Sequence, residues 1–145
     1  GDVSVPRVLD ELGQIAPVYA VRGNRDIFSL RYLPIQVRLD IEGVSIGMAH
    51  GHGSFRKYLS DKFHWVAYGA LVERYVRRML ETFPDVGVIV FGHLHVPCRL
   101  NLGGKLIFNP GSASCPQPKE HSPSVGLLHI ELGKEPEGEI IELNR

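Results

Sequence analysis

Hydrophobic residues along the chain change rhythm several times, and each rhythm predicts an element. Val88-Ile89-Val90-Phe91 is continuously apolar and stops at Gly92, ahead of His93 and His95. That is the pattern of a buried parallel strand covered on both faces. Upstream, Val8, Leu9, Leu12 and Ile15 recur at helical spacing behind Pro6, which predicts a crossover helix packing on a sheet. Pro17 ends it and residues 18–21 predict the next strand, so Asp2, helix, strand and Asn24 form a βαβ unit with both polar side chains at one end. From Ile35 the period becomes two: Ile35, Val37, Leu39 and Ile41 alternate with polar residues, Glu42-Gly43 turns, and residues 44–49 return. This predicts a hairpin with one buried face.

Residues 55–83 form the longest helical pattern, with Trp65, Tyr68, Val72, Tyr75 or Val76, Met79 and Phe83 on one stripe. Ser60 and Asp61 offer a cap and Pro84 closes the segment. An aromatic stripe of this kind predicts extra core or a homodimer face, with a lid as the other use. After His95, residues 98–102 and 105–108 flank Gly103-Gly104, suited to a tight hairpin turn. A proline-rich irregular stretch over 113–123 leads to a closing hairpin of residues 125–132 and 139–143. A βαβ start followed by antiparallel strands predicts an α/β domain.

Length and composition narrow the picture. With 145 residues and 43% hydrophobic content the chain supports one domain, 1–145, with a real core. Sixteen basic residues balance sixteen acidic ones, so neither nucleic acid nor an anionic membrane is expected as a diffuse partner, and any phosphate recognition must be local. Cys98 and Cys115 make no disulfide framework; reduced thiols in the cytoplasm are the simpler expectation. No apolar run reaches the ~18 residues of a membrane span.

The candidate chemistry sits just past the predicted strands. Asp2 opens the chain, Asn24-Arg25-Asp26 follows one apolar run, His50-Gly51-His52 follows another, and His93-Leu94-His95 a third. In α/β sheets ligands collect beyond the carboxyl ends of strands. Were His93 and His95 in extended conformation they would point to the same side and supply half of a transition-metal site. Two structural histidines capping a strand are the alternative. His64, His121 and His129 have no second ligand at a useful spacing and are expected to be structural.

Taken in order, Gly-Asp, Gly-Asn-x-Asp, His-Gly-His and Gly-His-x-His, with Asn109-Pro110-Gly111-Ser112 behind them, resemble the calcineurin-like metallophosphoesterases. Within these they look most like the small phosphodiesterase branch that also contains the retromer scaffold subunit. The resemblance implies a four-layer αββα sandwich of two mixed β-sheets flanked by helices. It also implies that a first strand ending in Asp-x-His, a helix and most of a second strand precede Asp2, so the chain is expected to be an amino-terminally incomplete version of a longer protein. Two divalent ions, probed first as Mn2+ with Fe, Ni, Co or Zn as other candidates, would activate hydroxide for phosphodiester hydrolysis. By the same resemblance Asp2, Asn24, His50 and His93 hold one ion, and Asp2 with His95 contributes to the other. His52 would donate to the phosphate or leaving oxygen, unless it only supports a ligand. Arg25 and Ser112 are candidate contacts to the phosphate-ester substrate, although Arg25 has Asp26 or solvent as alternatives. Asp26 is expected to support the Asn24 turn. Family loops often carry an arginine where this chain has Pro116-Gln117-Pro118-Lys119, leaving Lys119 as its replacement. A non-catalytic protein-interaction scaffold of the same fold is the competing function, and an isolated mononuclear metal-binding domain is a third.

Overall fold

The computed structural model describes residues 1–53 and 72–144. Two helices, α1 (Pro6–Gly13) and α2 (Val72–Thr82), and seven strands appear among the described residues. Strands β1 (Gln36–Ile41), β2 (Val44–Ala49), β3 (Val88–Phe91), β4 (Pro97–Leu102) and β5 (Lys105–Pro110) form one mixed sheet in the order β1-β2-β3-β5-β4. Its centre, β2-β3-β5, is parallel, and antiparallel hairpins add β1 and β4 at the edges. Strands β6 (Ser124–His129) and β7 (Glu137–Glu142) pair antiparallel as a second, small sheet. The two-sheet α/β architecture is therefore the one expected.

Both tight turns follow from their residues. Ile41 pairs with Val44 across Glu42 (φ 50°) and Gly43 (φ 75°), and Leu102 pairs with Lys105 across Gly103 (φ 59°) and Gly104 (φ 73°). Two positive φ angles in a two-residue loop match the right-handed twist of the flanking strands.

Strand β3 feeds two cores because its side chains alternate. Ile89 and Phe91 join Ala49 and Ile107 beneath Tyr75, Val76, Met79 and Phe83 from α2 and its end. Val88 faces the other way, with Ile46, Leu106 and Phe108, and is covered by Leu128, Ile130 and Ile140. The result is a helix, a five-stranded sheet and a small sheet stacked in layers. Phe108 reaches into the second sheet between two glycines: a Cβ on Gly126 would stand 2.5 Å from its Cζ and one on Gly138 2.8 Å from its Cδ2.

Two expectations differ from the structure, and a third is met as far as the described residues reach. Residues 18–21 do not form a strand; neither sheet takes them in, and the chain is tied nearby by Arg22 N–H donating to Pro34 O at 2.7 Å. An apolar run becomes a strand only when a ladder partner satisfies its backbone, and Val18 and Tyr19 remain exposed. Helix α1 does form, but none of its residues is buried. The sheet face it was expected to cover is taken by α2 on one side and by β6 and β7 on the other. Within the long pattern of 55–83, the portion carrying Ser60, Asp61, His64, Trp65 and Tyr68 lies outside the described residues. Its remainder is helical, with Tyr75, Val76 and Met79 buried as the stripe requires. No helix among the described residues is long and apolar enough to cross a membrane.

The Phe108 contact gives the first test. Gly126→Ala forces the ring to move and is expected to destabilise the protein by roughly 1–3 kcal/mol, measured by urea denaturation; an unchanged midpoint would mean the two sheets do not interlock through this ring.

Candidate metal centre

Parallel pairing of β2 with β3 brings two loops together. Ala49 lies opposite Phe91, so His50 and Gly92 leave the sheet side by side, and Gly92 N–H donates to His50 O at 3.2 Å. Gly51 turns with φ 100°, and a Cβ there would only touch Phe91, Gly92 and His93. Beyond Gly92 the chain does not stay extended. His93 has φ 71° and His95 φ 59°, with Leu94 N–H donating to Gly92 O at 2.8 Å. A tight three-residue turn centred on His93 separates the two rings, so the condition under which they would share one side of a strand is not met.

His93 stays with His50, its Nδ1 3.2 Å from His50 Nε2. His95 turns away, its Nδ1 2.6 Å from Cys115 O. Asn109, wholly buried, fixes the start of this turn: its amide donates to Gly92 O at 3.2 Å and its carbonyl accepts Gly111 N–H at 3.0 Å. The hydroxyl of Ser112 accepts Cys115 N–H at 3.0 Å.

The amino-terminal residues approach from the opposite side. Asp26, 2% exposed, accepts backbone N–H groups from Asp2 (2.7 Å), Ser4 (2.8 Å) and Gly23 (2.8 Å). This clamp holds Asp2 at φ 61° and Ser4 at φ 71°, and Gly23 must lack a side chain because a Cβ there would overlap the Asp2 carboxylate. Asp2 Oδ1 accepts Arg25 N–H at 2.8 Å, while Oδ2 lies 3.5 Å from His50 Nε2 and 3.8 Å from Arg25 Nε. Asn24 Oδ1 stands 3.1 Å from the same His50 nitrogen.

Four of the predicted ligands therefore meet at one atom. His50 Nε2, on a ring 3% exposed, faces the carboxylate of Asp2, the carbonyl of Asn24 and Nδ1 of His93 at 3.1–3.5 Å. No group of three or more His, Cys, Asp or Glu side chains among the described residues is arranged around a common point as a finished metal site; the cluster is instead held by contacts to His50, with Asn24 as its fourth member. A neutral imidazole nitrogen carries one proton or one lone pair. It cannot donate to two oxygens and also accept from a second ring. Donors ~2.1 Å from one divalent ion stand ~3.0–3.4 Å apart at octahedral or tetrahedral angles, close to the 3.1–3.5 Å between His50 Nε2 and its three neighbours. The donor set fits a metal.

Electrostatics agree with that chemistry. Burial would raise the Asp2 carboxyl, but the His50 ring, the Arg25 N–H and the nearby charges bring it down to about 2. Burial likewise opposes ionisation of Asp26, and its backbone N–H donors outweigh it and lower its pKa. Burial first, then the neighbouring His50 and His52 rings, push His93 down to about 4. His52 is lowered by burial and by His50, and its Nδ1 is buried without a hydrogen-bond partner. Both rings are neutral at pH 7, as metal ligands and neutral donors must be. A cavity of about 230 Å³ adjoins His50 and His52, with Gln36, Arg78 and Thr82 among its walls.

Asp2, Asn24, His50 and His93 are thus brought together, and His52 lies beside them, its ring centroid 5.3 Å from that of His50. Arg25 pairs loosely with Asp2 and is mostly exposed; Ser112 serves its own loop. His129 has a surface partner, Glu139, at 3.3 Å. Tyr75 and Arg78 were not singled out by motif. Tyr75 lies 5.7 Å ring to ring from His93, and Arg78 Nη1 donates to Gly51 O at 2.9 Å. Their i, i+3 spacing on a helix was the available signal.

Carboxylate, amide and imidazole side chains gathered at one point are donor types suited to a metallophosphoesterase-like centre, and comparison with known proteins gives the same class for the chain. Residues 1–133 match the calcineurin-like phosphoesterase superfamily domain, and the chain belongs to that superfamily. A probable metallophosphoesterase of Methanocaldococcus jannaschii is 31% identical over 117 residues, covering 81% of this chain and 52% of that protein. Another, from Methanothermobacter thermautotrophicus, is 31% identical over 141 residues, 97% of this chain and 72% of its own length. The chain thus spans about half the length of the Methanocaldococcus relative. Among solved structures, Entamoeba histolytica Vps29 complexed with zinc has a TM-score of 0.64 at 23% identity, covering 96% of this chain and 77% of that one. A novel archaeal phosphodiesterase has a TM-score of 0.63 at 21% identity, covering 99% and 79%. At these identities the two structures share the fold. Membership of the superfamily implies divalent metals.

The Asp26 clamp gives the second test. Carboxyls lowered in the folded chain stabilise it above their unfolded value of 3.8, and that contribution is lost as pH falls through the folded values, about 2 for Asp2. Asp26→Asn is expected to cost roughly 1–3 kcal/mol at pH 7 and to flatten the decline in stability below about pH 4. Urea midpoints across pH in the presence of chelator measure both effects; a parallel curve would show that Asp26 is not charged in the fold.

Proposed function

We propose that the chain carries the catalytic centre of a divalent-metal-dependent phosphodiesterase. The observation that supports it is the convergence of Asp2, Asn24 and His93 on the buried His50 Nε2, which has at most one proton to share among them. Asp2, Asn24, His50 and His93 would hold one ion. His95 would contribute to a second with Asp2. Its Nδ1–H, donating to Cys115 O, leaves Nε2 as the free donor and fixes the tautomer, the usual arrangement for a ligating histidine. Mixed nitrogen and oxygen donors without thiolate suit Mn, Fe, Ni, Co or Zn, and we take Mn2+ as the first ion to test. Divalent ions bound here supply a water acidic enough to ionise near neutral pH and positive charge against the phosphoryl oxygens.

The chain's own residues supply the rest. His52, neutral and half-buried beside His50, has its Nδ1 sealed from solvent, so Nε2 is the nitrogen that would donate to the leaving oxygen or to the phosphate. Arg25, on the exposed side of Asp2, can swing its planar fork onto the ester without breaking a buried bond. Ser112 contributes by shaping the loop behind His95. A scaffold without catalysis is a second reading, favoured by the exposed apolar side chains Ile27, Phe28 and Tyr32 on one loop.

His93→Ala in the full-length protein separates the two. Chelation is expected to abolish turnover of bis(p-nitrophenyl) phosphate, and added Mn2+ to restore it. The variant is expected to lose Mn2+ affinity and turnover by more than the roughly 10–100-fold typical of removing a ligand's outer hydrogen-bond partner. Equal metal content and rate in variant and parent would remove His93 from the centre, and a parent that neither binds Mn2+ nor turns over ester would leave the scaffold.

A further inference from the structure

Helix α2 lies outside every motif, yet two of its side chains reach both histidine loops. Arg78 Nη1 donates to Gly51 O at 2.9 Å, and that carbonyl belongs to the peptide linking Gly51 to His52. The Arg78 guanidinium carbon stacks 5.1 Å from the centroid of Tyr75. Tyr75, 7% exposed, lies 5.7 Å ring to ring from His93. The loops themselves meet where Gly51, turned at φ 100°, faces Gly92 and His93. Gly51 and the residue at position 93 therefore have little freedom once the helix is docked by Val76 and Met79.

We propose that Arg78 and Tyr75 form a clamp that positions the metal-binding loops: Arg78 holds the Gly51 carbonyl and so the orientation of His50 and His52, and Tyr75 backs the ring of His93. This rests on the metal-centre function proposed above and adds to it the element that sets ligand spacing. Both act in this role as positioning residues, through the Gly51 carbonyl and the His93 ring. A charge-assisted bond to a carbonyl is the stronger kind of hydrogen bond, and cation–π contact keeps the guanidinium planar on the ring while it is made. The pair is built at i, i+3, so one helical face carries both contacts.

The test uses the full-length protein with Arg78→Met, which keeps the apolar stem and removes the donors, Arg78→Lys, and Tyr75→Leu. Three quantities are read: Mn2+ affinity by titration calorimetry, kcat and KM for bis(p-nitrophenyl) phosphate, and the ring signals of His52 and His93 by NMR in metal-free protein. R78M is expected to bind Mn2+ about tenfold or more weakly, to lower kcat with little change in KM, and to shift both ring signals before any metal is added. R78K, with one donor left, is expected to fall between R78M and the parent. Y75L is expected to move His93 alone. If R78M does not fold, R78K carries the test by the same readouts. A parent that binds Mn2+ with R78M and R78K indistinguishable from it overturns the clamp and leaves the metal centre standing; a parent that binds none, as H93A also would, overturns the metal centre itself.

Discussion

Parallel pairing of β2 and β3 is the constraint on which the rest depends. Ala49 opposite Phe91 is a statement about backbone hydrogen bonds, but its consequence is chemical. It delivers His50 and Gly92 to the rim at the same height, so that a single N–H to carbonyl bond can lace the two loops. A slip of one residue would move the buried side chains of β3 to the wrong faces, emptying the core under α2 that Ile89 and Phe91 fill. Core packing and the placement of the two histidine loops are thus one requirement met by one register.

Legibility followed the same division. Residues with strong period or composition were readable: the continuous apolar run of β3, the alternation of β1, and the glycine turns before β2 and β5. The candidate ligands were readable because His50 and His93 each follow such a segment and Asp2 and Asn24 fall in motifs of the same order. What was not readable depends on partners distant in sequence. Residues 18–21 have strand composition but no ladder partner, and α1 has an amphipathic pattern whose intended face is already covered. The bend at His93 was hidden because an apolar strand gives no local hint that its continuation leaves extended conformation; only the Asn109 side chain, binding Gly92 O from seventeen residues away, shows why. Arg78 escaped notice for the same reason, its partner being a carbonyl rather than a side chain.

Around the centre, buried polar groups do the work that hydrophobic packing does elsewhere. Asp26 gathers three backbone N–H groups from two segments, and Asn109 joins the turn before His93 to its own loop. Each is nearly or wholly inaccessible and each is satisfied, the condition under which a buried polar group stiffens a site instead of weakening it. Rigid backbone is what allows side chains on four separate stretches of chain to meet at His50 Nε2.

Asp2, His93 and His95 all sit at positive φ, where a side chain costs free energy that glycine would not. Natural drift toward a sturdier protein would therefore push glycine into the very places where the proposed ligands stand. If these residues persist across distant relatives, durability is being traded for chemistry there, and a scaffold descendant relieved of catalysis would be free to abandon them first.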